Sequence, residues 1–309
     1  MDNRSDLSKY NIEHDEISLK DILSALRRGF RIISICISSA FLITIIYTTF
    51  ASDIYRSVAI VTPVNEQNSG EGIFSEFGSV ASLAGVNLSS NLGSLSIEAA
   101  ARIETFTFFQ DHVLPNIFLP DLVATKQWDR KTNTIIYDKS IYDAEEALWV
   151  RKVSFPKTPK PSAQEAFNIF IKLLSVSRDD DTGFVKFSVE HKSPYISQKW
   201  VEIIFNEINS SLRQKKKKEA ENALLFLNKQ ISTTGFADVK QNISMLIQKE
   251  FQNLALIEKT EDFVFQYIDY PVVEEKKYKP QTLILLIIAS ITGFLLGSII
   301  SLSRYLKVD

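Results

Sequence analysis

The sequence predicts an α+β membrane protein. Two transmembrane helices are expected to flank a periplasmic domain that has a membrane-proximal mixed α/β base and a long projecting helical hairpin. Three observations predict this fold class. Two segments, Ile32–Ser52 and Gln281–Ser303, contain no charged residue, and each has the length of about 20 residues that crosses about 30 Å of hydrocarbon. More than 200 residues of ordinary composition separate them. Within that region, residues 194–262 carry a long helical pattern.

The two apolar segments explain the hydropathy of the whole chain. The 309 residues include 23% charged residues and a formal net charge of −2, yet the mean hydropathy is close to zero. The apolar excess must therefore be concentrated in part of the chain. The first segment could instead be a cleaved signal peptide, but a long region of mixed charge precedes it and its apolar stretch exceeds a typical signal-peptide core. The single cysteine, Cys36, lies in this segment, so no disulfide is expected in the domain.

Charged residues beside the first segment predict the orientation. Cytoplasmic flanks are rich in Lys and Arg, and the basic residues crowd the N-terminal side, whereas Asp53 and one arginine follow. We therefore expect a protein of the inner membrane. Its residues 1–31 and 304–309 are expected in the cytoplasm, and residues 53–280 on the opposite side of the membrane. Three lysines at positions 276–279 disagree, but charges beyond a long translocated loop contribute little to orientation. The basic residues that set the topology are Lys20, Arg27, Arg28 and Arg31.

Strands are predicted beside both spans and in the middle of the domain, at about residues 54–62, 174–190 and 263–270. Apolar β-branched and aromatic residues recur in these runs, and Asp179–Gly183 has the composition of a hairpin turn. Its three aspartates could bind a divalent cation, but a turn is favoured because no further oxygen ligands follow as in a calcium loop. Strands next to both spans favour one mixed sheet near the bilayer.

Several helices are predicted around these strands. Residues 65–96 favour a loop with one short helix near Ile73–Leu83. Helical patterns run from Ser96 to before Pro115, over Asp143–Val150, and over Ser162–Leu173, where a Ser and a Glu three residues later form a capping-box pattern.

The longest helical pattern predicts an antiparallel hairpin at about residues 194–262. It contains two stretches without internal Gly or Pro, Pro194–Ile231 and Asp238–Asp262, separated by a break at Gly235. Lys215–Lys218 lies on this hairpin. A solvated helix face is favoured for this run over a contact with an acidic glycan.

Motifs for catalysis or cofactor binding are not found in the sequence. The three histidines are isolated, and phosphate-binding loops, nucleophile elbows and zinc motifs are absent. Too few residues follow the second span for a cytoplasmic nucleotide-binding domain. Acidic and basic totals nearly cancel, which disfavours nucleic acid as a partner. We expect no cofactor, no metal and no enzymatic activity.

Small residues recur at every fourth position of the second span and include one GxxxG pattern. Such a stripe allows another helix to approach closely, which predicts a helix contact with the first span or with a partner protein. A proline stands where the chain enters the membrane. The stripe consists of Ala289, Gly293, Gly297 and Ser301.

The order of these parts resembles the Wzz chain-length determinants, the polysaccharide co-polymerases of Gram-negative bacteria. Leu19–Leu23 (LKDIL) with Leu26–Gly29 (LRRG) is similar to the family's pre-membrane motif, although an arginine stands where Trp is usual. Tyr55–Ala59 (YRSVA) is similar to its first strand. Phe265–Pro280 (FQYIDYPVVEEKKYKP) resembles its closing strand and the Pro and Lys segment before the second span. Within that last segment, the predicted membrane-entry motif consists of Pro271, Lys276, Lys277 and Pro280.

The resemblance implies a non-enzymatic regulator that assembles into a homo-oligomeric ring, typically with eight subunits. Such a regulator sets how long a lipid-linked polysaccharide, such as O-antigen, grows before its release by the Wzy polymerase. Two other interpretations stay open. One is a capsule or exopolysaccharide export co-polymerase that works with a separate kinase. The other is a periplasmic adaptor of a transport machine, whereas a sensor would need a cytoplasmic output domain for which neither tail is expected to be long enough.

Overall fold

The computed structural model describes Arg27 and residues 29–64 and 92–305. The chain divides into two units, one made of residues 1–51 with 279–309 and the other of residues 52–278. The predicted short helix near Ile73–Leu83 lies outside the described residues.

The elements follow in chain order. The helices are α1 (Phe30–Phe50), α2 (Leu92–Ile103), α3 (Ala163–Leu173), α4 (Pro194–Thr233), α5 (Ala237–Lys259) and α6 (Thr282–Tyr305). The strands are β1 (Tyr55–Pro63), β2 (Thr125–Asp129), β3 (Thr134–Tyr137), β4 (Tyr142–Asp143), β5 (Leu148–Trp149), β6 (Leu174–Arg178), β7 (Val185–His191) and β8 (Phe265–Asp269). Four short helical turns connect α2 to β2, at Phe106–Phe108, Phe109–Val113, Leu114–Asn116 and Leu119–Val123.

The first unit contains α1 and α6. Both helices are long and apolar enough to cross a membrane, over Phe30–Phe50 and Thr282–Arg304. Most of their large apolar side chains are exposed, as is typical of surfaces that face lipid. They are therefore two candidate membrane spans.

The second unit is built on a four-stranded sheet with the order β6-β7-β1-β8. β1 lies inside the sheet, and its side chains alternate between buried and half-buried as the two faces of a pleated strand require. All three strand pairs are antiparallel, so the expectation of a mixed sheet is wrong. Because β7 and β8 both pair with β1, they run in the same direction, and the α4–α5 hairpin forms the connection between them.

The hydrophobic core lies between this sheet and the helices that cover it. The first half of α4 supplies Trp200, Ile204 and Ile208, which are at most 2% exposed, and α3 supplies Phe170. Burying side chains of this size stabilises a fold by about 1.5–3 kcal/mol each. The other central members are Ala59, Val61, Phe108, Phe109, Phe187, Val189 and Phe265.

Two buried polar side chains of α4 join this helix to the sheet. Ser197 accepts a hydrogen bond from the backbone N–H of Ser57 at 2.7 Å and donates one to the carbonyl of Val189 at 2.6 Å. Asn209, which is 4% exposed, donates to the carbonyl of Phe265 and accepts from the N–H groups of Val264 and Phe265, all within 3.0 Å. These bonds fix the position of α4 along β1, β7 and β8.

The helical hairpin is well buried next to the sheet and poorly buried farther from it. Beyond Leu212, α4 buries only Ala220 and Leu224, and α5 buries none of its residues. α4 and α5 pack on each other in antiparallel fashion, with Lys217 of α4 2.7 Å from Glu258 of α5. The distal hairpin therefore has little core of its own.

Two helix predictions are wrong, and local hydrogen bonds explain both. Asp143–Val150 forms the hairpin β4–β5, because the Asp143 carboxylate accepts from the N–H groups of Glu145 and Glu146 and holds a turn. The helix expected from Ser96 to before Pro115 is interrupted near Thr105. The side chain of Thr105 accepts from the N–H of Phe108 and starts a separate helical turn.

Two other local predictions agree with the structure. Ser162 and Glu165 form the expected capping box at the start of α3. Asp179 accepts from the N–H groups of Asp181 and Thr182 in the turn between β6 and β7, where Gly183 has a φ of 71° that favours glycine.

His191, at the end of β7, is a buried neutral histidine. It is 5% exposed, its Nε2 faces the carbonyl of Asp121 at 2.9 Å, and its Nδ1 accepts from the N–H of Ser193. Burial lowers the pKa of His191 to about 4, and the positive charge of Lys192 acts in the same direction. Protonation at Nδ1 would place its proton against the N–H of Ser193.

We expect the stability of the fold to fall as the pH decreases from about 6.5 towards 4. In this window the unfolded chain binds a proton at His191 and the folded chain does not, which costs up to about 3 kcal/mol. Glu165, whose pKa Arg151 lowers to about 2, adds a further decrease that begins below about pH 5 and continues towards pH 2. Thermal unfolding of the full chain in detergent, followed by circular dichroism at several pH values, measures the slope.

His191→Gln is the control for this slope. Burial raises the pKa of Asp121, which acts in the opposite direction, so only the difference between the two proteins isolates the histidine. The variant should lose most of the decrease. An equal decrease in both proteins would contradict the role of His191.

Candidate functional site

The small-residue stripe of α6 lies against α1. Ala289, Gly293, Gly297 and Ser301 are all buried, whereas Leu283 and Leu296 on other faces of the same helix are 74% and 59% exposed. Gly297 faces Ile33 and Gly293 faces Ile37, so the two helices run antiparallel. The stripe predicted from the spacing is thus the buried face of a helix pair, and its partner is the first span.

The two glycines allow backbone-to-backbone contact between the helices. A Cβ placed on Gly293 would lie 2.8 Å from the Cα of Ile37, and one placed on Gly297 would lie 2.7 Å from the Cα of Ile33. Both distances are shorter than any real Cβ contact, and the obstructing atoms are backbone. Even alanine at either position therefore requires the helices to separate.

Polar side chains in the helix pair bond to their own helices. The hydroxyl groups of Thr44, Ser290 and Ser298 each donate to the carbonyl four residues earlier, at 2.8–2.9 Å. In hydrocarbon an unpaired hydroxyl costs several kcal/mol, and this bond is the local way to avoid that cost. The pair is therefore chemically suited to a bilayer as well as long enough.

The segment after β8, residues 271–278, returns to the start of β1 and is called the return segment. Lys277 Nζ lies 2.8 Å from the carboxylate of Asp53, and the N–H of Tyr278 donates to the carbonyl of Ile54 at 2.8 Å. The Ser57 hydroxyl donates to the carbonyl of Val272 at 2.8 Å. The two ends of the second unit, which follow α1 and precede α6 in sequence, are thus bonded to each other.

Arg56 strengthens this junction from the other side of the strand. Its guanidinium lies 3.8 Å from the ring centroid of Tyr278 and donates to the carboxylate of Glu190 at 2.5 Å. Glu190 is 9% exposed, so this ion pair is better shielded from solvent than the half-exposed pair of Lys277 with Asp53. A shielded, hydrogen-bonded pair is expensive to break because the remaining charge loses its partner.

The other predicted residues occupy different positions. Pro271 is buried, and its carbonyl accepts from the Gln198 amide at 3.2 Å. Lys276 is exposed and Pro280 is half-buried. Arg27 and Arg31 are exposed. The topology residues Lys20 and Arg28 lie outside the described residues.

Three of the four lysines at Lys215–Lys218 form ion pairs within the chain. Lys215 pairs with Glu98, Lys216 with Glu219, and Lys217 with Glu258, at 2.7–2.9 Å. These side chains are about two-fifths exposed, so each pair stabilises the fold little. The pairing nevertheless occupies charges that a bound acidic glycan would need.

Sequence reasoning left the partner of the stripe open between the first span and another protein, and it did not identify the residues that these sites contact. Ile33 and Ile37 offer only apolar side chains, which do not distinguish one face of a span from another. Asp53 and Lys277 have opposite charges at similar distances in sequence from their spans, and that symmetry was the available signal. In residues 29–64 and 92–305, no cluster of three or more His, Cys, Asp or Glu side chains could hold a metal ion.

The comparison with protein families decides the nature of the first part of the chain. Residues 15–102 match the family model described as Wzz, chain length determinant protein. The chain carries a Wzz domain. The resemblance inferred from the sequence is therefore confirmed, and the match includes α1, with Ile33 and Ile37, and β1. The return segment and α6 lie beyond the matched residues.

Two solved structures are similar to the chain. A full-length bacterial polysaccharide co-polymerase has 17% identity and a TM-score of 0.38, with 93% of this chain and 97% of that chain covered. A fragment of WzzB, a polysaccharide co-polymerase from Salmonella Typhimurium, has 14% identity and a TM-score of 0.32, with 74% and 100% covered. No curated protein sequence matches with significance. The assignment of the Wzz domain rests on the family match.

We expect Gly293→Ala with Gly297→Ala to separate α1 from α6 and to destabilise the pair by about 1–3 kcal/mol, as overpacking does elsewhere. Spin labels at Phe50→Cys and Leu283→Cys, in a chain with Cys36→Ser, report the separation as a distance distribution. The variant should give a longer and broader distribution than the parent.

Two controls accompany this measurement. Gly235→Ala makes the same substitution where nothing lies within 4 Å, and Thr292→Leu adds bulk to an exposed position of α6. Both should leave the distance unchanged. An unchanged distance in the double-alanine variant would show that the helices do not pack through these glycines.

Proposed function

We propose that this chain is a non-enzymatic regulator of polysaccharide chain length. It acts in the inner membrane with a Wzy-type polymerase, on lipid-linked O-antigen or a related surface polysaccharide. The match of residues 15–102 to the Wzz chain length determinant family carries this proposal. The two candidate spans support a membrane location.

In the proposed arrangement, residues 1–31 and 304–309 are cytoplasmic, residues 32–52 and 281–303 cross the membrane, and residues 53–280 form the periplasmic domain. The excess of basic residues before Ile32 supports this orientation. The exposed positions of Arg27 and Arg31 are compatible with contact to the cytoplasmic lipid surface.

The helix pair is proposed as the part that meets the polymerase. Because α1 already covers the glycine stripe, the stripe acts by holding the two spans as one body, and the polymerase would contact their outer faces. Those faces carry large exposed apolar side chains, such as Ile35, Leu42 and Ile299. Packing and interhelical hydrogen bonds, not hydrophobicity, select partners for such surfaces in lipid.

The distal hairpin supports self-assembly. Its exposed side chains include Leu225, Phe226, Leu246 and Phe251, which are 52–70% exposed. An apolar helix surface of this kind in a water-facing domain requires a partner. A second copy of the chain supplies a matching surface, and repetition around an axis closes a ring, for which eight subunits are the family expectation.

The proposed function is tested by the length distribution of the surface polysaccharide. Cells lacking the chain should produce an unregulated distribution, and the intact chain should restore a modal length. Gly293→Leu with Gly297→Leu should fail to restore it, because the pair can no longer present its outer faces in register. Electrophoresis of the polysaccharide measures the distribution, with membrane levels of the protein measured alongside.

Lys216→Glu with Lys217→Glu is the matched control on the hairpin. It reverses two charges whose ion pairs are about half exposed and stabilise the fold little, so length control should persist. If the lysine variant abolishes length control and the glycine variant keeps it, regulation works through the hairpin and its glycan contacts. If the chain does not change the distribution at all, the proposed function is wrong.

Single cysteines in a chain with Cys36→Ser test the orientation and the assembly together. In intact cells whose outer membrane is permeabilised, an impermeant maleimide should label Ser232→Cys and leave Ser5→Cys unlabelled. Equal labelling would contradict the topology. Ser232 is exposed near the tip of the hairpin.

Assembly is read from cross-linking at the exposed Met245 of α5. With a short bismaleimide, Met245→Cys should yield dimers and a ladder of larger species in membranes. Thr134→Cys, at an exposed position of β3, is the comparison and should yield much less. A purely monomeric product at both positions would exclude assembly through the hairpin.

A further inference from the structure

A cleft in the second unit is lined by aromatic and charged side chains that neither the fold nor the proposed helix contacts require. Its volume is about 190 Å³. Four separate stretches build it: the start of β1, the β2–β3 hairpin, the start of α4 and the return segment. The side chains used below are Tyr55, Trp128, Arg130, Tyr195, Glu274 and Glu275.

Three aromatic rings form the floor of the cleft. Tyr55, 5% exposed, meets the edge of Trp128 at a centroid distance of 5.5 Å and an interplanar angle of 82°. Tyr195 lies 6.2 Å from Trp128 and is 48% exposed. The buried ring anchors the indole, and the indole and the outer tyrosine present ring surface to the solvent.

The indole is held in one orientation. Trp128 Nε1 donates to the Asn133 amide oxygen at 2.9 Å, across the β2–β3 turn. Asn133 has a φ of 52°, a conformation that asparagine tolerates better than most residues. Asp129 accepts from the N–H of Lys131 and the hydroxyl of Thr132 in the same turn. The aromatic surface is therefore preorganised, which lowers the entropy cost of binding.

The rim carries three charges with no ion-pair partner within the part of the chain that the structure describes. Arg130 stands on the hairpin, and Glu274 and Glu275 stand on the return segment. A guanidinium donates two parallel hydrogen bonds and a carboxylate accepts two, so both side chains match neighbouring hydroxyl groups. Two carboxylates beside one guanidinium disfavour a phosphate or another strongly anionic ligand.

These features fit a sugar ring. One face of a pyranose presents C–H groups that pack on the electron-rich face of an aromatic ring, and its edge presents hydroxyl pairs that donate and accept hydrogen bonds. We propose that this cleft binds a pyranose unit of the polysaccharide, with Trp128 and Tyr195 under the ring and Arg130 and Glu274 on its hydroxyl groups. The choice of ligand rests on the proposed function.

Binding is tested with the full chain in detergent. The probe is the surface polysaccharide of the cells that carry the gene, released by mild acid and fractionated to a few repeat units without lipid. Saturation-transfer NMR detects contact, and titration calorimetry measures affinity. The intact protein should bind the probe, and Trp128→Ala should weaken binding at least tenfold because the ring loses its support.

Matched variants separate the cleft from general effects. Phe155→Ala removes an aromatic ring that is 96% exposed and outside the cleft, and Arg178→Gln removes an exposed arginine on β6. Both should bind as the parent does, whereas Arg130→Gln and Glu274→Gln should each weaken binding severalfold. The two rim variants lie on the surface, so they report on the cleft even if Trp128→Ala proves poorly folded by circular dichroism.

Three results would overturn the inference. They are absence of binding to the intact protein, equal binding by Trp128→Ala when it is folded, and equal binding by both rim variants. If any of these three binding results is obtained while the intact chain still controls polysaccharide length, only the sugar site is refuted. Absence of any effect of the chain on polysaccharide length would refute the proposed function instead.

Discussion

The pairing of β1 inside the sheet is the interaction on which the arrangement of the second unit depends. Four residues separate this strand from α1. It pairs with β7 on one side and β8 on the other, and the return segment bonds to Ser57 of β1 and to Ile54 just before it. Its inward side chains lie in the core, and its backbone bonds to Ser197 of α4. The position of the sheet, the helix over it and the chain leading to α6 therefore all follow from one strand.

The distribution of buried side chains divides the second unit into a self-sufficient base and a dependent hairpin. The base buries large residues from the sheet, α3 and the first half of α4, and satisfies their polar neighbours through Ser197 and Asn209. α5 buries none of its residues. Helices gain most of their stability from tertiary packing, and α5 receives little of it from the residues that the structure describes.

Local physical signals explain which parts of the structure the sequence could predict. Three signals each act within one element and agree with the structure. They are the absence of internal Gly and Pro between Pro194 and Ile231, the capping box at Ser162, and the small residues at every fourth position of α6. The hairpin β2–β3 was missed because its polar turn lacks a glycine. The partner of the glycine stripe and the bond between Lys277 and Asp53 join residues more than 200 positions apart, which no local pattern encodes.

Asn209 has a consequence for solubility as well as for register. β8 is an edge strand, and an edge exposes N–H and C=O groups that can template association with strands of other chains. The Asn209 amide bonds to both backbone groups of Phe265, the first residue of that edge. A helix side chain thus occupies the N–H and C=O groups that Phe265 could otherwise offer to another strand. A strand of another chain could therefore pair with β8 at Phe265 only by displacing the Asn209 amide, which disfavours edge-to-edge association at this end of the strand.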